Sequence, residues 1–182
     1  TTLFRSDSTR FARSKPGVLP SRAGDNLFWL GRYVERAEGI MRLVRAYHAR
    51  LAETGDPDRP LVTHLHNYCR TFGVEADRGI PDALWDALAA ALISAGHVRD
   101  RFSVDGWTVL NDLARTTRSL QGTLAPGDES ARSMGMLLRR ITGFSGLVHE
   151  NMYRFAGWRF LSIGRSLERT MAVASALTSL AG

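Results

Sequence analysis

The chain has 182 residues, 44% of them hydrophobic and 23% charged. That balance gives one ordinary domain with enough apolar side chains for a core, and it excludes global disorder. The net charge is +6, and of 24 basic residues Lys15 alone is a lysine, so the positive charge is almost wholly guanidinium, a group suited to carboxylates and phosphates.

Residues 1–19 read as a basic linker or tail: they hold Arg5, Arg10, Arg13 and Lys15 without sustained periodicity, and Pro16, Gly17 and Pro20 break the chain. Residues 20–182 read as the folded domain. Ser21 is the predicted N-cap of a long helix in which Leu27, Leu30, Val34, Ala37, Met41, Val44, His48 and Leu51 recur three or four apart, up to Gly55-Asp56-Pro57. Phe28 and Leu43 lie off that stripe and predict a helix covered on more than one side. A shorter helix follows Pro60 to about Phe72, with Gly73 as its stop. The next starts near Pro81 with Leu84, Trp85, Leu88, Leu92 and Ile93, and its pattern leaves open a continuation past Gly96 to Phe102. Ser103 resembles an N-cap for a helix through Trp107, Leu110, Leu113 and Leu120. Gly127-Asp128-Glu129 precedes a helix through Met134, Leu137, Leu138, Ile141 and Leu147, and the last helix runs from about Gly157 to Leu180. No stretch alternates as a strand would. The expected fold is all-α, a bundle of about six or seven helices with short loops.

One phrase occurs twice. Ala23-Gly24 precedes Gly31-Arg32-Tyr33-Val34-Glu35-Arg36, and Ala156-Gly157 precedes Gly164-Arg165-Ser166-Leu167-Glu168-Arg169 at the same spacing. On a helix each Arg-Glu-Arg set falls on one side, and the glycine before it lets another backbone approach. The repeat predicts a pseudo-symmetric helix pair meeting in the interior, with Gly31 and Gly164 at the closest approach. Arg32, Glu35, Arg36, Arg165, Glu168 and Arg169 are therefore the candidate polar site. It is either a set of ion pairs that fixes the docking of two helices or an anion site whose glutamates orient the arginines. The apolar flanks Phe28, Leu43, Phe160 and Leu167 predict substantial burial of the clusters.

Other constellations are weaker. His149 and Glu150 could supply an acid or base, though neighbours on a helix face different ways, and Asn26 is a further polar candidate. His64 and His66 diverge, no Glu-x-x-His pair or HExxH motif occurs, and neither a metal nor a cofactor is expected. Trp29, Trp85, Trp107 and Trp158 fall at apolar helical positions and are expected in the core. Cys69, the one cysteine, excludes an internal disulfide. With no membrane-spanning run and no apolar signal-peptide core, the expected location is the cytoplasm of a bacterium or archaeon.

The run from Leu19 through Gly24-Asp25-Asn26-Leu27-Phe28-Trp29 and Gly31-Arg32-Tyr33-Val34-Glu35-Arg36-Ala37-Glu38 resembles the opening of the bacterial alpha-E family. Val98-Arg99-Asp100-Arg101-Phe102-Ser103 with Trp107 and Leu110-Asn111 is similar to its middle segment. His149-Glu150-Asn151-Met152 through Gly157-Trp158-Arg159-Phe160 and the second Arg-Glu-Arg phrase complete the resemblance. It implies an all-helical domain encoded beside, or fused after, a circularly permuted ATP-grasp amide ligase, often with a transglutaminase-like protease. Family members continue past the second Glu-Arg helix, so the resemblance also implies that residues 20–182 are the N-terminal part of a longer domain.

Three functions follow as expectations. The first is a non-catalytic or accessory domain working with the ligase in peptide synthesis or modification, not an enzyme on its own, whose arginines meet an acidic small molecule or peptide. A second is a peptide-processing or peptide-forming enzyme that uses the clusters itself. A third is a basic nucleic-acid-binding domain, which the pI near 10.4 suggests; the placement of the arginines within amphipathic helices argues against it. A homo-oligomer is compatible with all three, and no membrane partner is expected.

Overall fold

A computed structural model describes residues 19–181, with side chains to residue 179. The basic tail expected over residues 1–19 lies outside the described residues apart from Leu19. Six helices follow in order: α1 (Ser21–Thr54), α2 (Pro60–Thr71), α3 (Asp82–Gly96), α4 (Val104–Leu120), α5 (Asp128–Asn151) and α6 (Ala156–Ala181). Two single 3-10 turns, Ala76–Arg78 and Arg99–Arg101, lie before and after α3. The fold is all-α.

α1 is the axis of the bundle. Helices α3, α5 and α6 each pack along it, while α4 bridges α3 and α5 and α2 also packs on α1. Its stripe Leu27, Leu30, Val34, Ala37, Met41 and Val44 is buried, as its three-and-four spacing predicts. These side chains meet Leu84, Leu88 and Ala91 of α3 and Leu137, Leu138, Ile141 and Phe144 of α5 in one core. At its C-terminal end Gly55 adopts the left-handed conformation (φ 64°), and its N–H returns to the Leu51 carbonyl at 2.8 Å.

Two boundaries differ from the sequence reading. Pro20, not Ser21, caps α1: its extended backbone places its carbonyl to accept from Ala23 N (2.9 Å) and Gly24 N (3.1 Å), so Ser21 is already helical. Helix α3 ends at Gly96 and does not continue to Phe102. Val98 turns into the core, where it is buried, and the 3-10 turn after it sets Arg99 over the Trp107 ring. Ser103 does cap α4, its Oγ accepting from Gly106 N at 3.1 Å.

Candidate functional site: a crossed glutamate-arginine clasp

The two copies of the repeated phrase lie side by side. Gly24 contacts Phe160, Gly157 contacts Leu27, and Gly31 faces Leu161 and Arg165, so α1 and α6 run parallel and in register. Backbone meets backbone at the two central glycines. A Cβ on Gly31 would overlap the Leu161 carbonyl oxygen, and one on Gly164 would overlap that of Phe28. These two contacts exchange when the helices are exchanged, which makes the pair pseudo-twofold about an axis along the helices.

The charged side chains follow the same symmetry and cross the seam. Glu168 on α6 accepts from Arg32 Nε (2.6 Å) and Arg36 Nε (2.6 Å) on α1. Glu35 on α1 accepts from Arg165 Nε (2.9 Å) and Arg169 Nε (2.6 Å) on α6. Second bonds from Arg36 Nη2 (3.2 Å) and Arg169 Nη2 (3.0 Å) make two of the four contacts bidentate. All six predicted residues are thus brought together, with each carboxylate between two guanidinium groups of the other helix. The two glutamate side chains are nearly buried, whereas Arg36 and Arg169 reach the surface.

Burial acting alone would raise the pKa of Glu168, but hydrogen bonds and charge from Arg36 and Arg32 outweigh it and hold the carboxyl below its ordinary value. The hydrogen bond to Glu35 raises the already high pKa of Arg169 against the opposing effect of burial. The site is accordingly a lattice of crossed ion pairs whose members are fixed by one another. Its arrangement suits holding two helices in register and presenting guanidinium groups at the rim.

Several contributors were not singled out by the sequence pattern. Glu38, one turn beyond Glu35, is buried and accepts from Arg165 Nη2 (3.2 Å) and Arg42 Nη2 (2.6 Å). The repeat hides it, because its counterpart on α6 is Met171, whose sulfur instead accepts from Arg32 Nη2 at 3.4 Å. Trp29 and Tyr33 stack on each other and lie under Arg32 and Arg36. Serines 162 and 166 stand at the matching places on α6, so the aromatic support is one-sided.

The weaker candidates stay apart from the clasp. Asn26 Nδ2 donates back to the Arg22 carbonyl within α1 (2.8 Å). His149, exposed at the end of α5, accepts from Arg154 Nη2 at Nε2 (2.9 Å), and its ring meets the edge of Trp158. Glu150 is exposed. Among the described residues these three make no hydrogen bond or ion pair with the six clasp residues. One expectation of burial is corrected. Trp29 is exposed, stacked on Tyr33 of its own helix. Phe160 and Leu167 are exposed because α6 packs on α1 and makes only marginal contact with every other element.

Fold and site together define an all-α domain built on a parallel helix pair joined by a duplicated glutamate-arginine clasp. The chain belongs to the Alpha-E family, described as a predicted alpha-helical domain with a conserved ER motif, which it matches over residues 19–182. It is 27% identical over 194 aligned residues to an uncharacterised protein of Mycobacterium bovis, and equally to uncharacterised proteins from two strains of Mycobacterium tuberculosis. The alignment covers 87% of this chain and 21% of each relative, so the chain spans about a fifth of their length. No solved structure matches it. Among the described residues no helix is long and apolar enough to cross a membrane.

Proposed function

We propose that this domain is a non-catalytic partner of an amide-bond ligase of the circularly permuted ATP-grasp type, acting in peptide synthesis or modification. The observation that carries the non-catalytic part is the saturation of the clasp. Each carboxylate of the repeated motif is held by two guanidinium groups, and Glu168 is kept ionised. A general acid or base needs a proton near the working pH and a free edge toward substrate. These glutamates face each other's arginines instead. The ligase is supplied by the family resemblance, which sets such domains beside that enzyme.

In this reading the clasp is a structural latch, and the surface groups Arg36 and Arg169 are left to meet an acidic peptide or a partner surface. The test is copurification with the ligase encoded nearby, followed by amide-bond formation measured with and without the domain. Ligase activity that rises on adding the domain supports the proposal. Turnover of a peptide by the purified domain alone overturns it in favour of the enzymatic reading.

A further inference from the structure

The pseudo-twofold that relates α1 to α6 is broken by what surrounds them. The register that carries Gly31 onto Gly164 carries Leu27, Leu30, Val34 and Val44 onto Phe160, Ile163, Leu167 and Leu177. The first set is buried in the core that α1 shares with α3 and α5. In the second set Ile163 is 56% exposed and Leu177 63% exposed, and Phe160 and Leu167 also face solvent. The same asymmetry holds beside the glycines. Phe144, Ser145 and Val148 of α5 lie against the groove bordered by Leu30, Val34, Leu161 and Arg165, with a small cavity between them. The symmetry-related groove, between Ile163 and Leu167 on α6 and Phe28 and Arg32 on α1, has no helix in it among the described residues.

We propose that the outer face of α6 is the seat of a second helical layer, equivalent to α3 and α5, formed by polypeptide that follows α6 in a longer protein. Three observations select this occupant. First, the exposed face is apolar at every position matching the buried α1 stripe except Thr170, which matches Ala37, and an apolar face of that kind marks an interaction surface. Second, the layer that buries α1 follows it in the chain, so repetition of the unit places the matching layer after α6. Third, this chain matches only about a fifth of each relative's length, so chains of this family carry further polypeptide beyond the matched part. Net charge of +6 argues against the alternative of two copies joined along this face. The matching helix would place a large apolar side chain against Ile163 and Leu167, as Phe144 lies beside Leu30 and Val34, and a small residue opposite Arg32, as Ser145 lies opposite Arg165. The proposal does not depend on the ligase.

Thiol labelling tests it. Ile163→Cys and, separately, Leu177→Cys put a reporter at two points of the face, and both replace exposed side chains, so the bundle should tolerate them. Cys69 is silent, being fully buried with its thiol pushed up to about 11 by that burial. In residues 1–182 both thiols should react as free thiols do. In the protein extended through the residues that follow Gly182 in its gene, both should slow at least about 100-fold, as expected for groups reached only through opening of a packed layer. Equal rates in the two proteins, or a reading frame that closes just after Gly182, would overturn the proposal. A stable dimer of residues 1–182 by light scattering, with labelling that slows as concentration rises, would overturn it in favour of a second copy. Protection that arises only on adding the ligase would overturn it in favour of a separate partner.

Discussion

Glu35 and Glu168 exchange partners across the α1–α6 seam, each taking both of its arginines from the opposite helix. Their surroundings are not equal. When Glu35 is changed, Arg165 still reaches Glu38; when Glu168 is changed, Arg32 retains no carboxylate among the described residues. Removing one member of a buried ion pair costs about 3–5 kcal/mol, less where the partner reaches solvent as Arg36 and Arg169 do. Glu168→Gln should therefore destabilise the fold by roughly 2–4 kcal/mol and Glu35→Gln by less, although Glu35 is the more buried. Chemical denaturation of the two variants decides this. Midpoints equal to the parent, with ligase-coupled activity lost, would favour an open anion site instead.

The repeat in the sequence anticipated this pairing because it is a statement about geometry. Two copies of Gly, Arg, Glu and Arg at one spacing require two equivalent environments, and a parallel in-register pair provides them. Periodicity also located the six helices, since it reports which side chains avoid water. It does not report what covers them. Phe160 and Leu167 have the spacing of core residues and lie exposed, while Glu38 is buried without being part of the repeated phrase. The end of α3 was ambiguous for a related reason: Val98 continues the apolar pattern but reaches the core by leaving the helix. The cation-π supports of Arg32 and Arg36 depend on side-chain direction along one helix, which spacing only partly conveys.

Alanine at either seam glycine should separate α1 from α6. The obstacle to the new methyl is a backbone carbonyl, which cannot rotate away as a flexible side chain could. Gly31→Ala and Gly164→Ala should each cost at least about 2 kcal/mol, near the upper range for overpacking. Gly39→Ala is the control: it lies inside α1 with open space around its Cβ position, and there alanine should add about 0.5–1 kcal/mol of helix stability. Thermal midpoints that fall for the seam variants and rise for the control check the argument. A seam variant as stable as the parent would show that the helices sit further apart.

The cap of α4 offers a smaller test of local structure. Ser103 Oγ accepts from Gly106 N, a donor that has no partner in the preceding turn of the helix. Ser103→Ala should cost about 1 kcal/mol and Ser103→Asp should be nearly neutral, because aspartate offers the same acceptor together with a favourable charge at the helix start. Urea midpoints of the pair separate loss of the cap from loss of packing, which both substitutions would share.

His48 sets the pH dependence of the fold. Its ring is fully buried, Nδ1 accepts from Gly127 N at 3.1 Å at the start of α5, and Nε2 is buried without a hydrogen-bond partner. Burial holds its pKa below the ordinary 6.5. A protonated ring would set an N–H against the Gly127 N–H, at the positive end of the α5 dipole. With the folded pKa depressed, the unfolded chain binds more protons as pH drops, so stability is complete above about pH 6.5 and is lost as pH falls toward the folded value, by at most about 1.4 kcal/mol per pH unit. Glu168 adds a second window lower down. Its folded pKa is also depressed, so its contribution is present above 4.5 and is lost as pH falls further. Denaturation midpoints of the parent should therefore decline in two stages. In His48→Asn, whose Oδ1 can replace Nδ1 as acceptor without titrating, the upper stage should vanish even if the variant is less stable at neutral pH, and the lower stage should remain. An upper stage that survives in His48→Asn would assign it to another group.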